Sequence, residues 1–290
     1  MAVQTSQTGS LEFAQNTVIA QARFTAESQA PCKQLIENFT LAKGQSTLRV
    51  PKVGQSTMEN LTEGIDIVTE QDIGLSYKDL TTGEVGGKFI LTRKLVEQMN
   101  EDVYKMIGTQ LGDGMARKVD RDIIALFSAL NAGTTLGADN ATLGIGQASA
   151  CIIRARAKLY PNPISVVHGP AAIGNLAKSA AAIGATYYAG ILGSLSEELL
   201  RNFFKIQIDG VNFFWDANID KINAVDSGYG AIFSKSAMAI LTGWAPEIER
   251  EKDISLRATE VVMTSDYGVL ELDDAYGAPM RYEIGSPVTT

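Results

Sequence analysis

The sequence predicts a mixed α+β protein folded in two lobes, one of them built from both ends of the chain. Three features carry that expectation: a four-residue apolar repeat over 100–131, an alternating but sparsely apolar ribbon over 55–88, and a return to short strands after residue 231. At 45% hydrophobic and 20% charged over 290 residues, there is apolar material for one large core or two modest ones.

From the beginning, residues 1–10 are rich in Gln, Ser and Thr, and Leu11 to Ala26 reads as a modest amphipathic helix carrying Phe13, Val18, Ile19 and Phe24. Pro31 interrupts it. Cys32 to Phe39 reads as another short helical turn, with Leu35, Ile36 and Phe39 on one side and Gly44 as the stop. Thr47 to Val53 alternates and is β-branched, hence a strand. In the ribbon beyond Gly54, Gly64 to Thr69 and Ile73 to Tyr77 are β-like with one weakly apolar face, and Asp72 and Gly74 sit where a turn is needed. So little apolar material does not hold a hairpin by itself, so the ribbon is expected to project and to be ordered by another molecule.

The chain returns through Gly86 to Leu91 into its most regular element. Asn100 is placed to cap a helix running to about Asn131, with Val103, Ile107, Leu111, Met115, Val119, Ile123 and Phe127 as the stripe and Met106, Leu126 and Leu130 widening it. At 1.5 Å per residue it would be roughly 45 Å long. Gly108, Gly112 and Gly114 each weaken it by up to ~1 kcal/mol against Ala, and mark a bend or close packing against a neighbour. Residues 131–146 form a Gly-rich link between lobes. Gln147 to Tyr160 reads as a helix with Ile152, Ile153 and Leu159 inward, ended by Pro161 and Pro163. Ile164 to Val167 is a buried strand, and Pro170 opens a helix carrying Ile173 and Leu176. A Gly/Ala/Tyr-rich loop spans Gly184 to Gly193. Ser194 and Glu197 form a capping box. Asp209-Gly210 turns a hairpin between Lys205–Ile208 and Val211–Trp215. Strands are expected at 231–234, 239–241, 247–249, 260–264, 269–272 and 280–284, rejoining the first lobe under the long helix.

Chemistry is harder to find. The net charge of −8 and the absence of a basic run argue against a domain that grips a phosphate backbone. Cys32 and Cys151 alone make neither a disulfide framework nor a zinc site, and read as reduced, partly buried thiols. The single histidine, His168, ends a strand and reads as a structural or surface residue. Gly144-Ile145-Gly146 lacks the third glycine of a dinucleotide fingerprint, and no phosphate-cradling loop or metal-spaced cluster is visible. Asp120 and Asp122 are two apart on a helix and face different ways. Asp273-Asp274 reads as a turn. Met1 to Ser10 lacks the order of a signal peptide, and no apolar run approaches a membrane span. No cofactor, metal or catalytic group is expected.

The order of elements carries more: an arm, an extended polar ribbon, a long helix, a compact α/β lobe and returning strands. Gly44-Gln45-Ser46-Thr47-Leu48-Arg49-Val50-Pro51-Lys52-Val53-Gly54, followed by Leu61-Thr62-Glu63-Gly64, resembles the lead-in to the extension loop of the Hong Kong 97-type phage capsid family. Residues 92–130 are similar to its spine helix in place and character. The stretch from Ser227-Gly228-Tyr229-Gly230-Ala231-Ile232 through Ser236-Ala237-Met238-Ala239 to Tyr267-Gly268-Val269 is similar to its closing segment. The resemblance covers nearly the whole chain, through order and spacing. It implies an N-terminal arm over 1–30, an extended β-hairpin (the E-loop) over 55–88, and an α/β axial domain over 133–230. The peripheral domain would comprise 31–54, 89–132 and 231–290, with the spine helix at about 100–131.

By that resemblance the chain is a structural protein. Its pentamers and hexamers would close into an icosahedral shell around double-stranded DNA held without sequence-specific contacts. The implied partners are other copies of itself, a portal protein, a separate scaffolding protein unless assembly needs none, and a cement or decoration protein. The setting would be the virion, assembled in the host bacterial cytoplasm, with no membrane. The ribbon residues Met58, Leu61, Glu63, Ile65, Ile67, Ile73, Leu75, Tyr77 and Lys78 are the expected inter-subunit contacts. Two other readings stand beside it: an encapsulin, which shares the fold and needs a cargo-peptide site on its inner face, and a cytoplasmic α/β enzyme.

Overall fold

A computed structural model of the chain describes residues 32–53, 58, 60, 63–64, 66, 74–98, 103–182, 206–222 and 225–285. The expected arm helix over 11–26, the Asn100 cap and the capping box at Ser194 lie outside these residues.

The long helix, α3, runs over Val103–Phe127, preceded by two short ones, α1 over Cys32–Leu35 and α2 over Arg93–Gln98. Its stripe is buried as the repeat required: Ile107, Leu111, Met115, Val119, Ile123 and Phe127 all belong to one core. Its 25 residues make it about 37 Å long, shorter than expected. The chain leaves it through Asn131 and Ala132, whose φ of 53° and 51° are left-handed and incompatible with another helical turn.

The expected helical turn over 32–39 is half strand. α1 stops at Leu35, and β1, Glu37–Thr40, runs parallel to β10, Met238–Asp253. Asn38 explains the early stop: its Nδ2 donates to the carbonyls of Lys33 and Ile36 at 3.2 and 3.3 Å, groups that a continued helix would have used itself. A four-stranded sheet then follows the order β1, β10, β11 (Ala258–Glu271) and β4 (Gly83–Thr92), with β10–β11 and β11–β4 antiparallel. The strands expected at 239–241 and 247–249 are one strand, and so are those at 260–264 and 269–272. Register shifts between Thr242 and Glu247 absorb Gly243 and Pro246 without ending β10.

A six-stranded sheet has the order β5 (Leu136–Gly137), β12 (Gly277–Glu283), β9 (Ser227–Ser234), β6 (Ile164–His168), β8 (Val211–Trp215) and β7 (Ile206–Ile208). Asp209 and Gly210, at φ 51° and 79°, form the β7–β8 turn as their sequence required. Helices α4, Ile145–Ala157, and α5, Pro170–Ala182, cover one face. All the closing strands were expected in the first lobe; β10 and β11 do join β4, but β9 instead pairs with β6 and β12, and β12 with β9 and β5.

The reason is that this sheet partitions two cores. Ala231, Phe233 and Val167 face the α3 core, while Ile232, Val166 and Phe213 face the core beneath α4 and α5. Strands buried on both faces read as continuous apolar runs, so their lobe is not legible from alternation. Helix α4 also corrects an expectation. Its inward face is Ala148, Cys151, Ile152 and Ala155, whereas Ile153 and Leu159 are 61% and 77% exposed. Small side chains let α4 lie close to the sheet, and Leu159, at φ 56°, has already turned out of the helix. No described helix is long and apolar enough to cross a membrane.

Candidate assembly surface

The ribbon's two legs meet at its root. β2, Thr47–Lys52, pairs antiparallel with β3, Ser76–Thr81, in a two-stranded sheet. The return leg is folded on the protomer itself: β3 leads straight into β4, which is hydrogen-bonded to β11 from Gly83 onward. Residues 83–88, expected in the ribbon, therefore belong to the four-stranded sheet.

Among the expected contact residues, Leu75 and Tyr77 are 47% and 52% exposed, Met58 is 89% exposed, and Glu63 and Lys78 are exposed. Leu61, Ile65, Ile67 and Ile73 lie outside the described residues. Val53, before the ribbon, is 62% exposed and was not singled out by its sequence. Apolar groups left this exposed gain further on being covered. One face of the hairpin is stiffened by Arg49, whose Nε and Nη2 donate to Asp79 at 2.6 and 2.9 Å while its guanidinium lies 5.5 Å from the Tyr77 ring centre. That forked hydrogen bonding holds the Asp79 carboxyl below the usual carboxylate range.

The root is fixed by a small apolar cluster in which Leu80 meets Ala239, Leu241 and Leu272, with Leu48 and Val50 against it. Lys52 adds an ion pair to Asp273 at 2.7 Å. Asp273 and Asp274 form a turn, as expected. Asp273 accepts from the Ala275 N–H at 3.0 Å, and Asp274 accepts from the Ala132 N–H. Where the hairpin crosses β11, Gly268 allows the contact, since a Cβ there would lie 1.9 Å from the Thr81 carbonyl oxygen. Gly268→Ala is therefore expected to push the root away and to cost about 1–3 kcal/mol. Urea unfolding checks the stability, and a changed proteolysis pattern at Lys52 and Lys78 reports the displacement.

A Cβ on Gly108, Gly112 or Gly114 would meet no described atom within 4 Å, so none of the three packs against a described neighbour. Beside them a groove lies between α3 and β4, walled by Val85, Phe89, Leu111, Met115 and Met263.

The fold also assembles a buried polar junction that sequence spacing could not reveal. Cys32, Asp120 and Asp216 have donor atoms within 4.8 Å of one another, and all three are buried. Asp120 accepts from the Cys32 N–H at 3.2 Å and from Asn218 Nδ2 at 2.9 Å. Asp216 accepts from the Asn218 N–H at 2.8 Å, and the Cys32 thiol lies 3.5 Å from its Oδ2. Burial, with the Asp120 carboxyl beside it, pushes Asp216 up to about 8. Burial and the same two carboxyls raise the Cys32 thiol well above its usual range. Cys151 is likewise free and buried, its thiol 3.8 Å from the Tyr282 hydroxyl. Asp122, two residues from Asp120, faces elsewhere and accepts from the Tyr267 hydroxyl at 2.7 Å.

His168 is fully buried. Its Nδ1 accepts from the Gly169 N–H at 2.8 Å, which places the proton of the neutral ring on Nε2, and burial lowers its pKa to about 4. Tyr282 is its ring neighbour at 5.9 Å. Of the two readings its sequence left open, structural or surface, the structure bears out the structural one.

No protein-family model matches the sequence, and no curated protein matches it. Solved structures do. The chain superposes on the capsid of cyanophage P-SCSP1u with a TM-score of 0.68 at 13% identity, covering 94% of this chain and 93% of the other. A chain from Mycobacterium phage Che8 gives 0.70 at 12% identity, covering 91% and 94%. The acid-stable capsid of Helicobacter pylori bacteriophage KHP30 gives 0.71 at 13% identity, covering 94% and 97%. At such identities the shared property is the fold, and it is shared from end to end.

Proposed function

We propose that this chain is the major capsid subunit of a tailed bacteriophage. It acts by association, as pentamers and hexamers that close into an icosahedral shell around packaged double-stranded DNA. The observation that carries the reading is the likeness to phage capsid chains over more than nine-tenths of both partners, with no large part left over for another activity. In these terms Val103–Phe127 is the spine helix, the β2–β3 hairpin is the stem of the E-loop, and the α4–α5 lobe is the axial domain. The peripheral domain is the four-stranded sheet with α3. The role is structural and non-enzymatic.

The exposed side chains of the ribbon, Met58, Leu75 and Tyr77 among them, then rest on a neighbouring copy, together with Leu61, Glu63, Ile65, Ile67, Ile73 and Lys78. Gly108, Gly112 and Gly114 of α3 suit the close approach of another backbone. Each contact is weak, and a subunit that makes several gains avidity after the first. With a net charge of −8 and no basic run, packaged DNA is enclosed without tight binding. A portal protein, a scaffolding protein and a cement protein complete the particle, which is assembled in the host cytoplasm and becomes the virion shell.

Negative-stain electron microscopy and size exclusion of the purified protein test this. Closed shells or ring-shaped capsomers of uniform size are expected. A protein that stays monomeric at high concentration, or that turns over a small molecule, would overturn it.

A further inference from the structure

The buried junction joins three parts of the chain that are distant in sequence: α1, the C-terminal half of α3, and the loop that leaves β8 in the second lobe. The loop is tied further inward, because the Asp216 N–H donates to the His168 carbonyl at 2.9 Å. Four protein donors reach the two carboxyls: the Cys32 N–H and thiol, and the Asn218 side-chain amide and N–H. No buried cation faces the pair among the described residues. Arg121, next to Asp120, turns to the surface and pairs with Asp220 at 3.3 Å. Lys118 pairs with Asp122 at 2.5 Å, and Lys33 of α1 is exposed. The remaining titratable group nearby, His168, contributes its carbonyl, and its neutral ring lies against Tyr282. Two carboxyls buried side by side without a cation are compatible only while they hold a proton between them.

We propose that Asp120 and Asp216 form a proton-operated latch, which fastens α1 to the long helix and the second lobe and loosens when its proton is lost to solvent. The loss leaves two carboxylates facing each other across the Cys32 backbone N–H and thiol. The side of the junction that then gives way is four-residue α1, whose apolar anchors among the described residues are Cys32, Leu35 and the adjoining Ile36.

The pH window follows from the linkage. The folded-state pKa of Asp216 is raised, so its contribution is fully present below the ordinary carboxyl range and is lost as pH rises through about 8. The folded-state pKa of His168 is depressed to about 4, so its contribution is present above its ordinary value and is lost as pH falls through 4. The two slopes oppose each other on the acid side. The net fall therefore lies between the ordinary histidine range, where the opposing slope ends, and about 8, and Cys32, whose thiol is raised, adds a loss in the same direction only above the ordinary thiol range.

The role in assembly rests on the capsid reading; the latch itself is measured on the protomer. Amide hydrogen exchange of the full chain, corrected for the intrinsic effect of pH, compares the Cys32–Ile36 segment with strand β6. Protection of the segment relative to β6 is expected to fall about tenfold or more between about pH 6 and about pH 9. In Asp216→Asn, which keeps the hydrogen bonding without the charge, the fall should vanish; Asp120→Asn serves if that variant does not fold. A ratio that stays constant in the natural protein, or that falls equally in the variant, overturns the latch. Shells that form normally while the ratio is constant refute only the latch. A protein that shows the fall and builds no shells refutes only the capsid reading.

Discussion

A chain whose residues 53–75 are replaced by an Asn-Gly turn is expected to fold and to build no closed shell. The cut follows the register. Lys52 and Ser76 are paired across the β2–β3 hairpin, so a two-residue type I′ turn joins them without disturbing the stem. Deleting all of 55–88 would be a poorer experiment, because it removes Leu80 from the root cluster and six residues of β4 from their ladder with β11. The shortened chain keeps both large cores, so its unfolding midpoint should stay close to that of the full chain. Its assembly should drop to free subunits or isolated capsomers in electron micrographs. Normal shells from this variant would show that the projecting ribbon is dispensable, and would remove the main support for the contact residues assigned to it.

The largest loss of protomer stability is expected from Phe127→Ala. Phe127 is fully buried at the last turn of α3, with its ring centre 5.6 Å from that of Phe233 on β9. It therefore joins the long helix to the sheet that divides the two cores. Truncation removes the transfer energy of the ring and leaves a cavity that rigid neighbours do not refill, at a cost of about 3–5 kcal/mol. Ile153→Ser, on the exposed side of α4, should change stability by no more than about 0.5 kcal/mol. Denaturant titration of the two variants measures both. Equal losses would mean that Ile153 is inward after all, as the pattern of its helix suggests.

Sequence periodicity found α3 because one stripe on one helix has one neighbour, and every member with a described side chain is buried. It found the β7–β8 turn because Asp-Gly is among the few pairs that take left-handed angles at both positions. It misjudged α4, where an Ala- and Cys-rich face lies inward and the larger Ile153 and Leu159 do not. Size orders side chains for burial only when the spacing between elements is known, and small residues set that spacing. The candidate surface is proposed from a deficit, since the ribbon has too few apolar groups to hold itself. That residues 83–88 belong to the protomer's own sheet was not legible, because the ladder from β4 to β11 depends on a strand some 170 residues away.

By itself, the sequence determined the elements whose partners are local in pattern: the long helix and the tight β7–β8 hairpin. Tertiary structure alone decided which lobe owns the closing strands, and it alone brought Cys32, Asp120 and Asp216 together from positions 88 and 96 residues apart. The physical reason is common to both. Periodicity reports which face of an element avoids water, and it is silent on which distant element covers that face, or on which buried polar groups must then satisfy one another.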